Sequence, residues 1–64
     1  MNFKNNALRE LPTLSKELPD YSLGEVLYSV IRLTGAKKVS DLLSLSDEEI
    51  FSAIEKAKIQ EKEN

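Results

Sequence analysis

The sequence predicts an all-α protein: a small module of three helices, at about 22–34, 39–44 and 47–60, preceded by a proline-kinked N-terminal arm over residues 1–21. Three observations point there. Ser22 and Ser46 each open a capping box, with a glutamate three positions on at Glu25 and Glu49. Each box is followed by apolar residues at helical spacing. Gly35 stands where the first of these helices must stop, as the left-handed residue after a C-terminus.

The arm comes first in the chain. Glu10-Leu11-Pro12-Thr13-Leu14-Ser15 is echoed seven residues later by Glu17-Leu18-Pro19-Asp20-Tyr21-Ser22. Each proline pushes the leucine before it out of the α region. Ala7, Leu11, Leu14, Leu18 and Tyr21 step by four and three, as a helix would, but the prolines oppose that period. The expectation is a short helical turn near 7–10, then an extended path with its leucines facing one way. A disordered tail would be poorer in large apolar residues than this one, which carries Phe3, Leu8, Leu11, Leu14 and Leu18. The arm is therefore expected to order against apolar surface belonging at least partly to another chain.

The helical body spans 22–64. In its first helix the Ser22 hydroxyl caps the chain, and Tyr21 and Val26 fit the hydrophobic staple around it. Leu23, Val26, Leu27, Val30 and Ile31 form one broad stripe. Tyr28 and Arg32 lie off that stripe, four apart, a pairing typical of interface anchors and equally of an ordinary surface. Val39, Leu42 and Leu43 then give one turn of apolar spacing, started at Ser40 or the residue before it. The last helix opens at Ser46, with Leu45 and Ile50 as its staple and Asp47, Glu48 and Glu49 suiting the positive end of the helix dipole. Ile50, Phe51, Ile54 and Ala57 make its buried stripe, widened by Ala53, while Ile59 points elsewhere. The expected core is thus Leu23, Val26, Leu27, Val30 and Ile31 with Val39, Leu42, Leu43, Ile50, Phe51 and Ile54.

Bulk properties narrow the function. A chain of 64 residues holds one domain and buries only roughly 60% of its unfolded surface. With no cysteine and no histidine it has neither disulfides nor the usual zinc ligands, so tight helix packing or another chain must supply stability. A net charge of −2 steers weakly toward any charged partner. No apolar run approaches the roughly 20 residues that cross a bilayer, and no apolar leader follows Met1, so a cytoplasmic protein, or one built into an assembly there, is expected.

The usual players of acid–base and nucleophilic catalysis are missing, and the expectation is a non-enzyme without cofactor, metal or small-molecule substrate. Asp47, Glu48 and Glu49 are accounted for by helix capping, and they lack the spacing and glycine turn of a calcium loop. The only basic cluster, Arg32, Lys37 and Lys38, surrounds the negative end of the first core helix, and three charges would bind nucleic acid only weakly.

The run from Gly35 through Val39-Ser40-Asp41-Leu42-Leu43 and Leu45-Ser46-Asp47-Glu48-Glu49 to Ile54 resembles the RNA polymerase alpha C-terminal domain and related helix-hairpin-helix folds. The resemblance covers about a third of the chain and implies a shared way of packing short helices. The DNA-contacting hairpin of that class needs a further glycine-rich turn, and no glycine follows Gly35, so no binding residues carry over.

The reading that emerges is a protein-binding or assembly module attached to a larger partner, or to itself, through its arm. Accessory subunits of virions and other large complexes are built this way. Leu8, Leu11, Leu14 and Leu18 on the arm, with Tyr28, Arg32 and Ile59, are the expected partner contacts. A small helical DNA-binding regulator is the alternative.

Overall fold

Four helices follow one another in the order α1 (Phe3–Glu17), α2 (Leu23–Thr34), α3 (Val39–Leu43) and α4 (Asp47–Lys62). The computed structural model describes residues 2–62, so the ends of the expected arm and body at residues 1, 63 and 64 lie outside the described residues. Every regular element among the described residues is helical, as the sequence predicts.

The expected extended arm does not form. Residues 3–17 are one continuous helix with Pro12 inside it. Asn2 caps its start by accepting from the Asn5 N–H at 3.0 Å, and Pro19 lies just past its end, where a proline is tolerated. Burial decides the conflict that the prolines set up. The residues that step by four and three are the ones that meet the core: Ala7, Leu14 and Leu18 are buried, and Leu11 and Tyr21 pack against them. Pro12 lacks the N–H that would bond the Leu8 carbonyl. Both residues are exposed, so water can serve that carbonyl.

The core is the seam where α1 and α2 rest on α4. Leu14, Ile54 and Val26 fill its centre, at 1%, 0% and 1% exposure. Ala7, Ala53, Ala57 and Ser29 are buried small residues that let the helices approach closely. The Ser29 hydroxyl keeps a partner there by donating to the Glu25 carbonyl at 3.0 Å. Phe3 stacks at a tilt on Phe51, ring centres 5.8 Å apart, and Glu10 meets Lys58 seven residues further along both helices. The matched spacing shows that α1 and α4 run in the same direction. The Cα radius of gyration is 11.2 Å. That is close to the roughly 11 Å of a compact chain of this length, with no room for an extended arm.

The helix starts agree with the sequence. Both serine capping boxes form: the Ser22 hydroxyl accepts from the Glu25 N–H at 3.2 Å, and the Ser46 hydroxyl from the Glu49 N–H at 3.1 Å. Gly35 ends α2 in the left-handed conformation, at φ 82°.

Two parts of the expected core are corrected. On α2 the buried side is Val26, Ser29 and Val30, with Leu33 beside them, while Leu23 and Leu27 are left exposed. The apolar arc of α2 is wider than its contact with α4, and α4 takes only one flank. The second correction is α3, which buries none of its five residues. Val39 and Leu43 are 71% and 83% exposed and Leu42 is half-buried. Of the two expected starts, Ser40 and the residue before it, the helix takes the second, Val39. Lys38 is the N-cap residue, and the Asp41 carboxylate accepts from the backbone N–H groups of Lys37 and Lys38 at 3.0 and 3.3 Å.

Candidate functional site

Three of the apolar residues displaced from the core, Leu23, Leu27 and Val39, line adjoining hollows. Both α1 and α2 lean on α4 but touch each other only lightly, so a groove opens between them. Leu8, Leu11 and Pro12 form one wall, and Leu23 and Leu27 the other, around a hollow of about 350 Å³. Leu11 and Leu27 continue into a second hollow of about 210 Å³, where they meet Ile31, Leu42, Leu45 and Ile50. Ile31 and Leu42 lead on to a third hollow, of about 300 Å³, bordered by Tyr28, Val39, Lys37 and Lys38. The three share residues end to end, so they form one groove from α1 across α2 to α3.

Several residues expected to contact a partner fall on this groove and others do not. Leu8 and Leu11 line it, and Tyr28 stands at its α3 end. Leu14 and Leu18 are buried in the chain's own core, which withdraws them as partner contacts. Ile59 is exposed on α4, but it lines none of the three hollows. Arg32 is spoken for: its guanidinium donates to Glu61 at 3.0 Å.

The groove residues that sequence reasoning missed are Leu23, Leu27, Ile31 and Leu42, all of them assigned to the core. The signal was in the arm. Read as a helix, Ala7, Leu11, Leu14, Leu18 and Tyr21 supply a third apolar stripe that competes for α4, and part of the α2 arc must then stay outside.

A polar cluster lies on another side, where Tyr21, Tyr28 and Arg32 surround Glu61. The buried Glu61 carboxylate accepts from the Tyr21 hydroxyl at 2.5 Å and from Arg32. That hydrogen bond, with lesser help from desolvation and the carboxylate charge, holds the Tyr21 phenol above its ordinary pKa. Chemically the cluster is a lock joining three segments, since its charges satisfy one another. A second lock is the Lys58 ammonium, which bridges Glu10 on α1 and Glu55 on α4 and is raised in pKa, first by the Glu10 hydrogen bond. Among the described residues no group of three or more carboxylates is placed to hold a metal ion. No helix among them is long and apolar enough to cross a membrane.

No family model, curated protein or solved structure matches this chain. The groove is therefore interpreted from its own chemistry.

Proposed function

We propose that this chain is a small non-catalytic protein-binding or assembly module, and that it binds through the groove formed by α1, α2 and α3. One observation carries the reading: Leu8, Leu23, Leu27 and Val39 are large, apolar and exposed, and they cluster around one continuous groove. Scattered surface leucines need no explanation, but a contiguous apolar patch on a domain this small favours an interaction surface. Fully burying one leucine is worth about 1.5–3 kcal/mol, so a partner covering several of them has a substantial driving force.

Attachment through an arm gives way to attachment through a face, because the leucines that would have made the arm adhesive are divided between core and groove. The alternative of a DNA-binding regulator draws on Arg32, Lys37 and Lys38, and Arg32 is engaged by Glu61. Two remaining cations would give weak, salt-sensitive phosphate binding.

The test is affinity capture from the native host with the wild-type chain, the groove variant Leu27→Glu and the control Ile59→Glu. Each captured protein is then purified and rebound. A partner that rebinds wild type and the Ile59 variant but loses affinity for the Leu27 variant supports the reading. Partners indifferent to Leu27→Glu and lost with Ile59→Glu would move the interface to α4 and refute the groove.

A further inference from the structure

The groove has a charge pattern as well as a shape, and the pattern restricts what can occupy it. Along its first two hollows the lining is uncharged: from Leu8 and Pro12 to Leu45 and Ile50 it offers only apolar, proline, serine and threonine side chains. At the α3 end that changes. Lys37 and Lys38 border the third hollow, and both are exposed. Neither forms an ion pair among the described residues, unlike Arg32, which pairs with Glu61, and Lys58, which pairs with Glu10 and Glu55. Asp41, the acid beside them, turns its carboxylate to their backbone N–H groups.

Resting on the protein-binding reading above, we propose that the groove seats an amphipathic α-helix of a different protein, with apolar residues along the inserted stripe and acidic residues at the end that lies over Lys37 and Lys38. The shape argues for a helix. Along the first two hollows the walls are α1 and α2, which both pack on α4, and a further helix laid between them completes a four-helix bundle. The molecule measures 29 Å by 27 Å by 18 Å, and a helix of about 16 residues, some 24 Å long, spans a groove across it. The uncharged walls argue for a leucine-like stripe, since a charge buried there would find no partner. The lysine pair argues for acids at one end, where complementary charge sets orientation and rejects wrong partners. A second copy of this chain suits the pattern poorly. Pairing groove to groove about a two-fold axis would lay Lys37 and Lys38 of one copy either on the Leu8–Leu23 end of the other, whose lining carries no acid, or on the same two lysines of the other.

The experiment titrates the isotopically labelled full chain with two synthetic amphipathic peptides of about 16 residues. They share one leucine stripe and differ only in ending with glutamates or with lysines. The glutamate-ended peptide should bind with amide shifts at Leu11, Leu27, Ile31, Leu42, Lys37 and Lys38. The lysine-ended peptide should bind at least about tenfold more weakly, and the double variant Lys37→Glu, Lys38→Glu should reverse that order. Equal affinity for both peptides would overturn the acidic-end assignment while leaving a protein-binding groove in place. Absence of binding, or shifts confined to the Ile59 face, would overturn the helix-in-groove assignment, with the protein-binding reading still decided by the capture experiment. A mass that doubles with concentration in the free chain, with shifts in the same groove, would make the occupant a second copy and overturn the proposal.

Discussion

The hydroxyl of Tyr21 donates to the carboxylate of Glu61 at 2.5 Å, joining residues 40 positions apart. Glu61 sits in the last turns of α4 with its side chain 5% exposed, and it accepts from Arg32 as well. One carboxylate thereby ties the loop after α1, the end of α2 and the end of α4. Glu61→Ala should cost about 1.5–3 kcal/mol, the range for a hydrogen bond to a charged group. Arg32→Ala should cost less than about 1 kcal/mol, because its side chain is 53% exposed and solvent screens its charge. Urea denaturation of the two variants checks the ranking, and equal losses would mean that the pair acts as a surface ion pair alone.

The Tyr21 phenol, raised above its ordinary value by the bond to Glu61, predicts a loss of stability on the alkaline side. The folded chain holds this proton more tightly than the unfolded chain. The contribution is therefore complete below about pH 10, the unfolded value, and is lost as pH rises through the higher folded value. Lys58, raised by Glu10, adds to the same limb. In tyrosinate absorbance titrations the latest-rising fraction should vanish in Tyr21→Phe, and that variant should lose less stability between neutral and alkaline pH.

The capping boxes predict the acid limb. Glu25 and Glu49 lie below their ordinary pKa, each chiefly because its carboxylate accepts from the serine backbone N–H of its own box. Their contribution is present above about pH 4.3, the unfolded value, and fades as pH falls through the lower folded values. Ser22→Ala and Ser46→Ala should each cost about 0.5–2 kcal/mol at neutral pH in a chemical denaturation series. Losses near zero at both sites would contradict the cap geometry.

Leu14 and Leu27 should differ sharply on truncation. Leu14→Ala empties the centre of the core and should cost about 2–5 kcal/mol. Leu27 is 40% exposed, so Leu27→Ala should cost less than half as much. Deleting residues 1–18 removes Ala7, Leu14 and Leu18 together and should abolish the cooperative thermal transition seen by circular dichroism. A folded remainder would restore the idea of a separable arm.

Pro12→Ala should stabilise the chain. The substitution returns an N–H to the Leu8 carbonyl and removes a helix-interior penalty of about 3 kcal/mol. Loss of proline's restriction on the unfolded chain offsets about 1 kcal/mol of that gain. A rise in midpoint temperature on scanning calorimetry is the expected result, and a fall would show that the proline itself packs usefully in the groove wall.

What the sequence determined by itself was local: the starts of α2 and α4, the stop at Gly35, the inward stripe of α4 and the outward direction of Ile59. Caps, stops and periods are written in residues three or four positions apart, and their hydrogen bonds form within one turn. The tertiary structure decided the rest. Whether Leu11 could stay helical before Pro12 depended on what its helix would bury, and local preference lost to the apolar seam with α4. Which flank of α2 turned inward depended on α1 being there to claim part of α4. Leu23 and Leu27 became a groove wall, and Val39 and Leu43 were left exposed on a short helix that fully buries no residue, because three stripes shared one helix's surface. Glu61 drew Tyr21 and Arg32 together only once α4 had been laid beside α2, a meeting no spacing along the chain encodes.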